Sequence, residues 1–316
     1  PEKMLAARKG SPLIMGVGED EIILASDASA IVSYTKQVIY LEDGELVEIN
    51  GNSFNIFNLD NVQVSKEIKE IDWDIDKIEK GGFAHFMLKE IFEQPESISN
   101  SFRGRLVVDG GKVKLGGLES VQEELRKIER LIIVACGTAY SAACVGKYMI
   151  EEYVGIPVEV DYAHEFRYRR SIIGKNTAVL AVSQSGETAD TLAAIRESKE
   201  KGALTLGIVN VVGSTIARET DAGIYNHAGP EIGVASTKAY TSQLTILALL
   251  TVFLGRQRQM SLSMGKRIID EISLLPKKVE KILSEAKKIE EIAGRYDKYT
   301  SFAYLGKKYN YPLATE

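Results

Sequence analysis

The chain has 316 residues, 39 Lys and Arg against 44 Asp and Glu, a formal net charge of -5, 45% hydrophobic and 26% charged residues. That length exceeds one typical compact domain, so two domains is the starting expectation, and the ordinary composition describes a folded globular chain. The acidic balance excludes a binder of nucleic-acid backbones, so any anion site must be local. Two cysteines, Cys136 and Cys144, are too few for a disulfide framework and fit a reducing cytoplasm. The longest apolar run, Leu244 to Leu254, is about half of the roughly 20 residues a membrane span needs, and the N-terminus has no signal-peptide core. No membrane is expected as a partner. The chain opens at Pro1 and stops at Glu316, just past Tyr311-Pro312-Leu313, and both ends are expected to be cut from a longer protein.

Short apolar runs predict strands at Pro12–Val17, Glu21–Leu24, Gln37–Leu41, Glu45–Ile49 and Ser53–Phe57. Asp43-Gly44 and Asn50-Gly51 carry the turn chemistry of tight hairpins, which predicts a β-meander. From about 66 to 105 the chain turns polar and helical, and Lys89-Glu-Ile-Phe-Glu-Gln-Pro95 is expected to end a helix at its proline, in an interdomain connection. After residue 118 helix and strand alternate. Helix is expected over 118–130 and 138–153. Strands are expected at Leu131–Ala135, Pro157–Val160, Thr177–Val182, Leu204–Val209 and Ala222–Tyr225. This is α/β architecture, a doubly wound parallel sheet. Long helices follow over 236–254 and 261–294, and Ser301-Phe-Ala-Tyr-Leu305 is expected to begin another buried strand.

Three strand-to-helix turns are candidates for the chemistry, because ligands of open α/β sheets sit at the carboxyl ends of strands. In Ala135-Cys-Gly-Thr138, Gly137 permits close backbone approach and Thr138 offers a hydroxyl; a helix cap beside an inert Cys136 is the plainer alternative. In Val182-Ser183-Gln184-Ser185-Gly186-Glu187-Thr188, three hydroxyls and an amide crowd a helix N-terminus and suit a phosphate dianion with no basic residue present. A capping box in which Ser185 bonds the Thr188 amide is the alternative there, and it leaves Ser183 and Gln184 unexplained. In Glu231-Ile-Gly-Val-Ala-Ser-Thr-Lys238, Ser236 or Thr237 is placed to cap a helix and Val234 to pack on a ligand. His85, His164 and His227 are far apart in sequence and support no metal site, and the glycine fingerprints of nicotinamide and nucleoside-triphosphate binders are absent. No cofactor is expected.

These motifs together resemble the sugar isomerase (SIS) domains. With Ser11-Pro-Leu-Ile-Met-Gly-Val-Gly18, Ala25-Ser-Asp27 and Lys89–Pro95, the whole chain resembles the glutamine:fructose-6-phosphate aminotransferase family. The resemblance implies that residues 1–65 are the C-terminal part of an α+β N-terminal-nucleophile glutaminase domain, 66–117 a linker, 118–260 the first SIS domain, 261–297 a helical connection and 298–316 the start of a second SIS domain. It implies that ammonia from glutamine aminates fructose 6-phosphate to glucosamine 6-phosphate, with no metal or organic cofactor. Carried over by position, Ser183, Gln184, Ser185, Thr188 and Thr138 bind phosphate and sugar, while Val234 and Ser236 line the sugar. A homodimer is implied, since a neighbouring subunit completes the family's site. By that resemblance the family's cysteine nucleophile precedes this sequence and its imine-forming lysine, proton-transfer glutamate and histidine lie in the second SIS domain beyond it, while Glu316 matches a family glutamate at the start of the motif following Tyr311-Pro312; the chain alone is expected to be inactive. Two other classes remain open: an SIS-fold phosphosugar isomerase or deglycase, which would lack the strands of residues 11–57, and a non-catalytic sugar-phosphate-binding module.

Overall fold

The computed structural model describes residues 3–9, 12–26, 28–71 and 80–316; Pro1, Ser11 and Asp27 of the sequence motifs lie outside them. The N-terminal part contains β1 (Met4–Ala7), β2 (Ile14–Val17), β3 (Ile22–Ala25), β4 (Gln37–Tyr40), β5 (Leu46–Asn50), β6 (Ser53–Phe57) and β7 (Lys69–Glu70). They form two antiparallel sheets, β1-β5-β6 and β3-β2-β4-β7, rather than one meander. Asn50-Gly51 makes the expected hairpin, with Asn50 opposite Ser53 and Gly51 at φ +60°. Asp43-Gly44 does not, because β5 takes β1 as its partner. Arg8 at the end of β1 accepts from the Gly44 amide (2.9 Å), donates its own amide to Glu45 (2.9 Å) and sends its guanidinium to Asp43 and the Leu41 carbonyl. The two sheets meet over Met15, Ile39, Leu41, Val47, Ile49 and Ile56, all buried.

Next come α1 (Phe86–Phe92) and α2 (Gln94–Phe102). Pro95 sits in the first turn of α2, where its missing N–H costs no helical bond, so it opens the second helix as well as closing the first. A small hairpin of β8 (Leu106–Val107) and β9 (Lys112–Val113), with no counterpart in the sequence reading, leads to α3 (Gln122–Lys127).

The remaining strands are β10 (Arg130–Ala135), β11 (Val158–Tyr162), β12 (Thr177–Ser183), β13 (Leu204–Val209) and β14 (Ala222–Tyr225). They are crossed by α4 (Thr138–Val154), α5 (Ala163–Tyr168), α6 (Ala189–Glu200) and α7 (Thr215–Glu219), and followed by α8 (Lys238–Arg256) and α9 (Leu262–Leu283). The sheet runs β11-β10-β12-β13-β14 with every neighbouring pair parallel. Its strands read as continuous apolar runs because both faces are covered. Along β10, Leu131, Ile133 and Ala135 join the core shared with α4, α8 and α9. Ile132 and Val134 join the other core, with Leu192 and Ile195 of α6 and Ile216 of α7. By length and composition α8 could cross a bilayer, but 78% of its apolar window is buried inside the fold, the burial of a core helix.

The helical stretch beyond 261 breaks at Ser284-Glu285 into α9 and α10 (Ala286–Tyr296), and α10 has no buried residue. Residues 301–305 form no strand. They are exposed, and no described strand runs beside them to pair with their backbone groups, so the apolar pattern has nothing to bury it. The chain then closes with α11 (Tyr311–Thr315), lying against α4.

Candidate functional site

The carboxyl ends of β10 and β12 stand side by side, Ala135 level with Val182, and each strand feeds directly into a helix. A cavity of about 230 Å³ opens there. Thr138, Ser183, Gln184, Ser185, Thr188, Val234 and Ser236, the seven residues singled out by sequence, all line it, together with Cys136, Glu231, Gly233 and Gln243. No lysine or arginine is among the described residues that line it.

The first wall begins at Gly137, whose φ of +54° and ψ of −139° belong to a region only glycine occupies cheaply. That conformation turns β10 sharply into α4 and leaves the first turn of α4 without a side-chain cap. Thr138 and Ser141 donate their hydroxyls to the two carboxylate oxygens of Glu316, so this helix N-terminus holds an anionic group.

The second wall is the 183–188 turn. Ser183 Oγ accepts from the Gly186 amide at 3.0 Å and lies 3.2 Å from Thr188 Oγ1, while Ser185 Oγ accepts from the Glu187 amide at 3.1 Å. The turn is therefore braced by its own hydroxyls rather than closed as a capping box. Thr188 is the N-cap of α6, with no side-chain bond to the free amides of the first turn. Gly186 has φ +66°, and a Cβ there would fall 2.1 Å from Ser214 Oγ. Behind it the buried Glu187 carboxylate accepts from the Thr215 amide at 2.6 Å, tying the turn to the start of α7. Burial pushes the Glu187 carboxyl above the ordinary carboxylate range, against the opposing pull of the Thr215 hydrogen bonds.

The third wall is the 231–236 loop. Neither Ser236 nor Thr237 caps α8. The cap is the carboxylate of Glu231, which accepts from the amides of Thr237 (2.8 Å) and Ala239 (3.0 Å) and from the Ser236 hydroxyl (2.7 Å). An acidic group reaches those orphan amides and satisfies the helix dipole, so the hydroxyl becomes a donor to it. Val234 projects fully exposed at the rim. Sequence reasoning missed the support from outside the loop: Glu90 of α1 accepts from the amides of Ile232 and Gly233, and Glu93 pairs with the buried Lys238 at 2.6 Å. The local pattern of Lys89–Pro95 is that of a polar connecting helix, and nothing in it tells which distant loop its carboxylates face.

A larger cavity of about 760 Å³ lies between the N-terminal strands, α2 and the loops after β13 and β14, where Lys36 and Lys69 mix with Glu70 and Glu93. It is a seam between layers that also receives the ends of β13 and β14, but its described lining mixes cations and carboxylates in place of the hydroxyls of the smaller cavity. Among the described residues no group of three or more His, Cys, Asp and Glu side chains is arranged to hold a metal ion. Cys136 and Cys144 are unpaired, and burial pushes the Cys144 thiol up.

Residues 124–253 match the model of the SIS domain family. Over its whole length the chain is 50% identical to the glutamine–fructose-6-phosphate aminotransferase (isomerizing) of Chlorobaculum tepidum and 45% to that of Aquifex aeolicus, covering 52% and 51% of those proteins. It thus spans about half the length of the curated relatives it matches. Among solved structures, the C-terminal domain of glucosamine-fructose-6-phosphate aminotransferase from Francisella tularensis superposes with a TM-score of 0.71 at 36% identity, over 75% of this chain and 66% of that one. That likeness agrees with the parallel α/β sheet.

Proposed function

We propose, for a chain whose residues 124–253 belong to the SIS family and whose whole length is related to the glutamine–fructose-6-phosphate aminotransferases, that the 230 Å³ cavity is the fructose 6-phosphate site of such an aminotransferase. The observation that carries this reading is the meeting, beside a ring of hydroxyls, of the α6 start, which has no side-chain cap, and the α4 start, whose Thr138 and Ser141 hydroxyls already hold the Glu316 carboxylate, with no lysine or arginine among the described lining residues. Amides and hydroxyls at helix N-termini bind dianions through charge-assisted hydrogen bonds worth roughly 1.5 to 3 kcal/mol each, so a few suffice without arginine. Polarity also orients the ligand. Glu231 places a negative charge on the third wall, which repels phosphate and leaves that wall to the sugar hydroxyls, beside Val234 and Ser236. The phosphate then faces Ser183, Gln184, Ser185 and Thr188, with Thr138 closing the other side.

In this reading the wider protein takes nitrogen from glutamine and yields glucosamine 6-phosphate, works as a homodimer and resides in the cytoplasm, where Cys136 and Cys144 stay reduced. The chain's own part is to hold and orient the phosphosugar. Calorimetric titration with fructose 6-phosphate, fructose and inorganic phosphate tests it. Fructose 6-phosphate and phosphate should bind and fructose should not, and Ser185→Ala should weaken both binders by about tenfold. Phosphosugar binding left intact by Ser185→Ala sinks the assignment. Light scattering of the eluted chain checks the dimer.

A further inference from the structure

The 231–236 loop is held from outside by a helix that precedes it by some 140 residues, and this is the observation that goes beyond the reading above. The carboxylate of Glu90, 2% exposed, accepts from Ile232 N–H at 2.6 Å and from Gly233 N–H at 3.1 and 3.2 Å. The fit is close. A Cβ on Gly233 would stand 2.6 Å from Glu90 Oε2 and 3.4 Å from the Met87 backbone, so the glycine lets α1 press directly on the loop. A second bond sits one turn on, at the junction of α1 and α2, where Glu93 bridges Lys89 (3.4 Å) and the buried Lys238 at the first turn of α8 (2.6 Å). The loop is thus clamped at both ends by α1 and its C-terminal junction, and Val234 and Ser236 lie between the clamps.

We propose that Glu90 is a positioning residue for sugar recognition: by fixing the Ile232 and Gly233 amides it sets the sugar-facing wall of the cavity, so the placement of α1 governs how well the sugar part of a phosphosugar fits. This rests on the phosphosugar reading of the cavity. Among the described residues, the hydrogen bonds that brace the phosphate-facing wall, 183–188, run within the turn, to Asn210 and to the start of α7 and none to α1, so the two parts of the ligand separate the roles.

The test titrates the 316-residue chain with fructose 6-phosphate and, separately, inorganic phosphate, in the unsubstituted protein and in Glu90→Gln, Glu90→Ala, Gly233→Ala and Ser185→Ala. Glu90→Ala should weaken fructose 6-phosphate about tenfold while phosphate changes less than about twofold, and Glu90→Gln, which keeps one acceptor, should fall between. Gly233→Ala, which attacks the same contact from the loop, should reproduce the selective loss. Amide exchange at Ile232 and Gly233 should accelerate in Glu90→Ala. Equal weakening of both ligands, or of neither, overturns the positioning role while a normal Ser185→Ala loss leaves the phosphosugar reading standing. A Ser185→Ala titration identical to the parent overturns that reading and this inference with it.

Discussion

The two facing walls of the cavity are built by opposite strategies. The 183–188 turn is braced mainly within itself, Ser183 to Gly186, Ser183 to Thr188 and Ser185 to Glu187, and behind that it is tied to the end of β13 and the start of α7, where the Asn210, Ile216 and Thr215 amides donate to the Gln184 carbonyl, the Gly186 carbonyl and the Glu187 carboxylate. The 231–236 loop takes one brace from its own Glu231 and the other from Glu90, across 142 residues. A locally braced wall keeps its shape wherever the neighbouring domains move, which suits the fixed demands of a phosphate. A wall held by a distant helix can be adjusted by whatever moves that helix.

Substitutions should separate these strategies, and the largest effect is expected inside the local wall. Gly186→Ala meets both a left-handed backbone and a Cβ position 2.6 Å from Ser214 Cβ, with the turn wedged against α7. Denaturant unfolding should show a loss of about 3 kcal/mol or more. A loss under about 1 kcal/mol would mean the turn is not wedged there. Next is Glu231→Ala, which strips the cap from α8 and orphans the amides of Thr237 and Ala239. We expect about 2 to 3 kcal/mol by the same measurement, and Glu231→Gln should restore part of it.

These two positions also mark how far sequence reaches. The parallel sheet was legible because strands buried on both faces carry unbroken apolar runs, and the turns because hydroxyls and glycines crowd between a strand and a helix. All seven candidate residues come from three such local segments, and the fold brings them to one cavity. What stayed hidden depends on partners far along the chain. The Asp43-Gly44 hairpin failed because β5 pairs with β1, the 301–305 strand failed for want of a neighbour, and Glu90 read as part of a charged linker helix. Capping of α8 by Ser236 or Thr237 is the reasonable local reading, but the Glu231 carboxylate a few residues upstream outcompetes a hydroxyl for the helix amides.

A smaller effect tests whether the local wall is self-sufficient. Ser183 is 3% exposed and its Oγ is the acceptor for the Gly186 amide, so Ser183→Ala leaves a buried donor unpaired. The expected cost is about 1 to 2 kcal/mol, with Ser183→Thr intermediate. Ser185→Ala should cost less in stability than Ser183→Ala while costing affinity, because Ser185 is the more open of the two. The reverse order would place the structural role on Ser185 instead.

The smallest expected effect lies in pH. Both walls conceal a carboxyl that burial pushes above the ordinary carboxylate range, Glu187 in the first and Glu90 in the second. A carboxyl with a raised native pKa favours the folded state most at pH below its unfolded value, and that contribution is lost as pH climbs through the native value, because the buried group must then ionise. Glu187→Gln removes the titration while keeping a similar shape. Across about pH 4 to pH 7, the stability difference between the parent and Glu187→Gln should therefore shift toward the variant, by less than about 1 kcal/mol since the Thr215 bonds favour the charged form. Glu90→Gln should shift the same way, and the two shifts should add, because the groups brace different walls and share no partner. A difference that stays flat with pH would mean that the hydrogen bonds to Thr215 fully offset the burial of Glu187, and a shift toward the parent would mean that they outweigh it.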